Sequence, residues 1–553
     1  MPQEFAPLAE HIVDAVLETN PGLAQRAGDH RFDGRLPDYS PEAVAGDVDM
    51  FRDASAALSQ VDIDALDPQD QVDHALLLAL VERSLFELTE VRAHEWNPLS
   101  HNPGVLLHGQ IARPYAPVDE RLTTIGARLS MLPDALATAR AVLTDCPRIH
   151  LETAVGQFSG TAALIRDELP NLIAQAPALA SVVEPLQQRA IAALGEFVTW
   201  LCDRAEEAGE SGGRDPRLGR RMWEARLWHT LDTELSAAEI LARARANVER
   251  VTGELREVAR ELAESSRRLD LRSAHIKQAE TPDVRAALDQ LAAEHPDNTT
   301  IVDLAKVTLD EATDFVSEHD LLTLIDDPCV IMEMPEFARG VAVAYCDSPG
   351  PLETSDLPTF YCIAPTPSGW PAERVESFYR EYNNHMMRNM TVHEAMPGHF
   401  LQLAHSRRFR GSTRIRALGF SGPFAEGWAV YAEELMAEHG FGGLAVRAQQ
   451  LKMQLRMSIN AILDQLVHCE QLSEADAMAL MTEQGFQEEG EAAGKWRRAL
   501  LTAGQLSTYF VGYAEVSAIA RARPAGTALR AWHDRMLAHG SPPPRHIRTL
   551  LGV

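Results

Sequence analysis

No Cys-x-x-Cys pair occurs in this sequence. Its six cysteines, at 146, 202, 329, 346, 362 and 469, are scattered over 553 residues. That argues against an all-cysteine zinc site and a disulfide framework, and it points to a reducing, cytoplasmic setting. Long apolar runs are missing too. "ALLLALV" at 75–81 falls far short of the roughly 20 residues that span a bilayer. The first stretch, "MPQEFAPLAEHIVDAVLETN", has acidic residues and no basic lead. It reads as an amphipathic helix, not a signal peptide, and no membrane partner is expected. Positive charge is scarce: 51 Lys+Arg against 80 Asp+Glu leave a net charge of −29. Such a chain repels phosphate backbones, so nucleic acid is not expected as a partner. No internal repeat and no low-complexity segment interrupts the pattern.

What remains is mostly helix signal. Residues 71–91, 181–210 and 236–266 are long, Ala/Leu/Glu/Arg-rich and periodic. Ser236, with Glu239 three residues on, forms a capping box for the last of these. Breaks fall at "NPLSHNPG", "GESGGRDPR" and "HPDNTT". One region differs. "PCVIMEM" (328–334), "GVAVAYC" (340–346) and "PTFYCIA" (358–364) are short, β-branched or aromatic, and bounded by Pro and Gly. They read as strands of a small sheet. A helix is expected over 371–395, with Pro371 at its first position. The expected fold is mainly α, with a small sheet next to the helix that carries the candidate site. Composition divides it into a helical region, 1–325, forming one wall of a cleft, and a metal-site region, 326–553.

The candidate site is "HEAMPGH" at 393–399. Helical zinc sites use H-E-x-x-H, whose histidines lie one turn apart on one face. Here Pro397 stands where the second histidine belongs, and the next histidine is His399. On a regular helix six residues turn by about 600°, leaving the side chains roughly 120° and on the order of 9 Å apart. Pro397 makes a regular helix difficult, because it offers no N–H to the carbonyl of residue 393. Gly398 tolerates the resulting bend. A bulge at Met-Pro-Gly could return His399 to the side of His393. The alternative is a core histidine, since His393 continues the apolar stripe Val375, Tyr379, Tyr382, Met386, Met390. A second His-Glu pair, His94 and Glu95 with His101, lies in a Pro-rich break and is a poor metal candidate. Glu426, in the first turn of "GPFAEGWAVYAEELM", is a possible third ligand; it could equally just favour a helix N-terminus. Glu433, seven residues on and on the same face, could orient a ligating histidine.

Three motifs together resemble the bacterial "domain of unknown function 885" family, regarded as zinc-peptidase-like. They are "HEAMPGH" (393–399), "EGWAVYAE" (426–433) and "RALLTAGQLSTYFVG" (498–512). Ala503 departs from the proline usual in the third. The "FYCIA" strand and the early "LPDYSPEA" also match in style. The resemblance implies that His393, His399 and Glu426 bind Zn²⁺ and that Glu394 is the general base. It implies a zinc-dependent hydrolase, a metallopeptidase cutting short peptides by metal-activated water. Tyr509 is then a candidate oxyanion donor, with Arg498 and Tyr513 as candidate substrate contacts. The arginine run at 405–416 could attract a substrate carboxylate or form a solvated loop, and His405 is the first substitute if His399 is not a ligand. Two other readings stay open: a metal-dependent hydrolase or lyase of a small non-peptide metabolite, and a non-catalytic helical binding scaffold.

Overall fold

Helices start where the sequence writes a start. Asn20, Ser40 and Asp67 each precede a proline, and each side chain accepts a backbone N–H from the first turn of the helix it caps. The Ser236 capping box forms as expected: the Glu239 N–H donates to Ser236 Oγ at 3.3 Å, and the Ser236 N–H to Glu239 Oε2 at 2.9 Å. These elements come from a computed structural model that describes residues 4–209, 213–270, 283–334 and 343–553. The described chain is mainly α, with one small three-stranded sheet. No helix among the described residues is long and apolar enough to cross a membrane.

The chain forms two compact units. The first is Met1–Pro216 with two later segments, Pro349–Leu357 and Arg410–Gly419. Its core gathers Leu122, Ile125, Phe158, Leu194 and Phe197 from the helices Val118–Val142, Arg148–Asp167 and Ala180–Ala208. Polar contacts tie the later segments in: Glu353 meets His30 at 2.9 Å, Arg414 meets Glu10 at 2.6 Å, and the buried Arg416 pairs with the buried Asp73.

The second unit holds Arg217–Ser348, Pro358–Phe409 and Phe420–Val553. Residues 217–325 thus cluster with the metal-site region, whereas composition had grouped them with the N-terminal helices. Packing explains this. The helix Ala237–Asp270 lies along Gly443–Glu470, burying Ile240, Val251 and Leu255 against Leu451, Leu455 and Ile462. The helix Ile301–Glu318 packs on Asn384–Glu394.

The sheet runs β1 (Cys329–Glu333), β2 (Ala344–Asp347) and β3 (Thr359–Ile363), in the order β1-β3-β2. β1 pairs with β3 in parallel, and β2 pairs with it antiparallel, with Cys346 opposite Tyr361. The expected second strand began at 340; residues 340–342 lie outside the described residues. Tyr361 is fully buried, and its hydroxyl is 3.1 Å from Thr391 Oγ1 on Asn384–Glu394. That contact sets the sheet beside the His-Glu helix.

The expected 371–395 helix is two helices, Ala372–Glu381 and Asn384–Glu394. Asn383 breaks it by accepting the N–H groups of His385 and Met386, both at 3.1 Å. Pro371 is the residue before the first helix, one position earlier than expected. The apolar stripe survives the break: Tyr379, Tyr382, Met386 and Met390 are all buried.

Candidate metal centre

The His-Glu helix stops at Glu394, and a new helix, His399–Ser406, starts at the second histidine. Between them the ladder opens. Thr391 O accepts both the Ala395 and Met396 N–H groups, at 2.9 and 3.2 Å, and Val392 O accepts from Gly398 at 3.0 Å. Pro397 has no N–H to give. A Cβ added at Gly398 would sit 1.9 Å from His393 O and 2.3 Å from Val392 O. The glycine answers to this close approach, since its φ is an ordinary −68°. From the other side, the Trp428 indole N–H donates to Pro397 O at 2.9 Å. The loop therefore acts as the expected bulge. It brings the His393 and His399 rings to 4.8 Å, with planes at 86°.

Glu426 comes from the helix Gly422–Glu438, which Ser421 caps by accepting the Phe424 N–H at 3.2 Å. That helix crosses Thr508–Arg521 almost backbone to backbone. A Cβ at Gly427 would lie 2.3 Å from the Gly512 carbonyl, and one at Gly512 would lie 2.1 Å from Pro423 O. Glu426 Oε2 lies 3.3 Å from His393 Nε2 and 3.5 Å from His399 Nε2. It is a buried carboxylate oxygen with no hydrogen-bond partner. The ligand atoms of His393, His399 and Glu426 all fall within 4.8 Å of one another, and no other residues among those described form such a group.

The other nitrogen of His393 is accounted for. Its Nδ1 lies 2.7 Å from Glu433 Oε1, and the Asn389 amide donates to Glu433 Oε2 at 2.5 Å. A carboxylate there fixes the proton on Nδ1 and leaves Nε2 as the nitrogen that faces Glu426. Burial pulls the His393 pKa down, but the carboxylates of Glu426 and Glu433 on its two nitrogens outweigh it and hold the imidazole well above its ordinary range. Burial pushes Glu426 up, and the two imidazoles more than reverse this, leaving it below the usual carboxylate range. Burial raises Glu394, only partly offset by His399 and His393, so its carboxyl titrates above its ordinary value. The Cys346 backbone amide of β2 also works against that rise. Two imidazole nitrogens and an unpartnered carboxylate oxygen, converging with one imidazole oriented from behind, suit the donor preferences of Zn²⁺.

Tyr509 sits one turn before the Gly512 crossing. The Glu426 charge, with burial second, raises its pKa, which keeps the phenol protonated at neutral pH. Arg498 Nη2 donates to its hydroxyl at 3.3 Å and to Gln505 Oε1 at 2.8 Å. Tyr513 is placed otherwise: its hydroxyl donates to Glu434, 3.0 Å from each oxygen, and accepts from Gln454 at 3.3 Å. The arginine run is largely spent in ion pairs, Arg408 with Asp327 at 2.8 Å, Arg414 with Glu10 and Asp14, and Arg416 with Asp73. His405 Nε2 lies 2.8 Å from Thr323 O and is not a spare ligand. Three contributors escaped the sequence reading: Asn389, the Trp428 indole and the Cys346 N–H. Asn389 left a trace, being a polar residue four positions before His393 in a buried stripe.

The family described as "Bacterial protein of unknown function (DUF885)" matches residues 21–551. No curated protein matches the chain. A candidate lipoprotein of unknown function from Shewanella oneidensis has the same fold, with a TM-score of 0.82 and 27% identity over 100% of both chains. A candidate lipoprotein from Colwellia psychrerythraea aligns with a TM-score of 0.77 and 16% identity, over 99% of this chain and 98% of its own. With nearly its whole length matched, this chain belongs to the DUF885 family of bacterial proteins of unknown function.

Proposed function

We propose that this chain is a zinc-dependent hydrolase, a metallopeptidase that cuts short peptides. The observation that carries the reading is the buried, unpartnered Glu426 Oε2 facing two imidazole nitrogens. No other group among the described residues hydrogen-bonds that oxygen, and two imidazole nitrogens and a carboxylate oxygen this close together are a donor set that a cation can bridge. His393, His399 and Glu426 would hold the ion, with Glu433 and Asn389 fixing the orientation of His393. Zinc bound there supplies Lewis acidity, which can lower the pKa of water from about 16 to about 7.

The remaining work falls to side chains. Glu394, adjacent in sequence to a ligand, takes the proton of the attacking water and passes it to the leaving amine. Its raised pKa suits a group that must both accept and return a proton. The neutral Tyr509 phenol donates to the developing oxyanion. Arg498 holds that hydroxyl in place. The acidic surface disfavours nucleic acid and anionic membranes as partners. Six free thiols fit a reducing compartment, and we place the enzyme in the cytoplasm, a placement that cell fractionation checks. The functional test is a digest of defined short peptides with and without chelator. Zinc-dependent cleavage that Glu394→Gln abolishes supports the reading. Cleavage indifferent to chelator and to Glu394→Gln refutes it.

A further inference from the structure

The helix Glu489–Leu501 carries Glu491, Lys495 and Arg498 at spacings of four and three, along one face. Arg498, at the C-terminal end of this row, touches the Tyr509 hydroxyl. Facing the row are Lys452 and Arg456 from Gly443–Glu470, and Glu381. Two carboxylates are thus set among four cations in a chain whose overall charge is strongly negative. The partners are unevenly shared. Lys452 takes Glu381 at 2.9 Å, and Arg456 takes Glu491 in a close pair. Lys495 is 6% exposed, and its nearest carboxylate oxygen is Glu491 Oε1 at 3.8 Å, beyond hydrogen-bonding distance. Its ammonium has three donors and no hydrogen-bond acceptor among the described residues. Arg498 spends Nη2 on Gln505 and Tyr509. Its Nε and Nη1 have no acceptor among the described residues.

We propose that Lys495 and Arg498 form a subsite for a substrate carboxylate beside the bond to be cut. The inference rests on the metallopeptidase reading for the position of that bond. Arg498 Nη2 lies 3.3 Å from the Tyr509 hydroxyl. A carboxylate that accepts from the remaining Arg498 N–H groups and from Lys495 therefore lies close to the carbonyl that Tyr509 serves. Burial and the Arg456 charge push the Lys495 ammonium well below its ordinary range, with Glu491 offsetting only part. A bound carboxylate supplies the missing counter-charge. The carboxylate has two possible sources, the free C-terminus of a short peptide or an acidic side chain beside the scissile bond.

Calorimetry on the full chain carrying Glu394→Gln separates these, using N-acetyl-Ala-Ala, its C-terminal amide, and N-acetyl-Ala-Glu amide. The free acid should bind about 10–100-fold more tightly than its amide, the usual range for hydrogen bonds to charged groups. Lys495→Met, which keeps the length of the stem, should erase that preference while leaving the amide's affinity unchanged, and Arg498→Gln should reduce it. If N-acetyl-Ala-Glu amide binds as tightly as the free acid, the site accepts side-chain carboxylates, and the subsite stands. Equal binding of acid and amide, no binding of either, or a preference that survives Lys495→Met overturns it. Cleavage by the unmodified protein with no acid preference would sink the subsite and spare the peptidase. Acid-selective binding without cleavage would do the reverse.

Discussion

Residues 94–101 and 393–399 both open on His-Glu and both reach a second histidine within two turns, yet the two segments end in different chemistry. In the first, a four-residue helix, Ala93–Trp96, runs into a tight turn, and His101 Nε2 donates to the His94 carbonyl at 2.8 Å. Tyr39 stacks on His94 at 5.8 Å and meets His101 edge-on at 4.9 Å. Glu95 pairs with Arg92 at 2.5 Å. Burial lowers both histidines, His101 to about 4, so they stay neutral and serve as packing. In the second segment the backbone takes no ring nitrogen. Glu433 occupies Nδ1 of His393 from a helix forty residues away, and Glu426, from that same helix, waits at both Nε2 atoms. The candidate site thus differs from the packing pair less in its dipeptide than in what engages the other nitrogen, and in a third side chain that meets both Nε2 atoms.

Substitutions made in parallel at the two segments sharpen the contrast. Glu394→Gln should keep metal and fold but lower kcat about 10²–10⁴-fold, the usual range for a general base. Glu95→Gln should leave kcat unchanged; steady-state kinetics on one short peptide checks both. Tyr509→Phe should cost about 10²–10³ in kcat and lower kcat/KM in parallel, since the phenol's bond forms only in the transition state. Equal kinetics for Tyr509→Phe and wild type would return the residue to the aromatic core. Glu433→Gln keeps the size of the side chain but weakens its hold on Nδ1, and zinc affinity should fall about 10–100-fold in a competitive chelator titration. Zinc affinity should also rise with pH through neutrality. His393 is held above its ordinary pKa, and a proton on its Nε2 competes with the metal for that nitrogen.

The bulge was legible because its parts are local. Proline at 397 forbids a regular ladder, and glycine at 398 permits a close approach that no other residue fits. The same holds for the Ser236 box and for the strands around Cys329, Ala344 and Thr359. What stayed hidden was long-range. Nothing near Arg410–Gly419 in sequence announces that Arg414 and the buried Arg416 pair with Glu10 and Asp73, so these charges of the run are met within the chain. In the sequence Tyr513 reads as a substrate contact because it lies one turn from Tyr509 on the same helix. Its hydroxyl instead belongs to Glu434, which only the packing of two helices decides. The break at Asn383 was hidden by a stripe that stays in phase across it.

Zinc titration of chelator-stripped protein, followed by elemental analysis, tests the central claim most directly. Wild type and His101→Ala should each take up about one zinc per chain, the number a single three-ligand site with one open position holds. His399→Ala and Glu426→Ala should take up little or none under the same conditions. Wild-type protein that binds no zinc, or a His399→Ala variant that binds as much as wild type, would contradict the account.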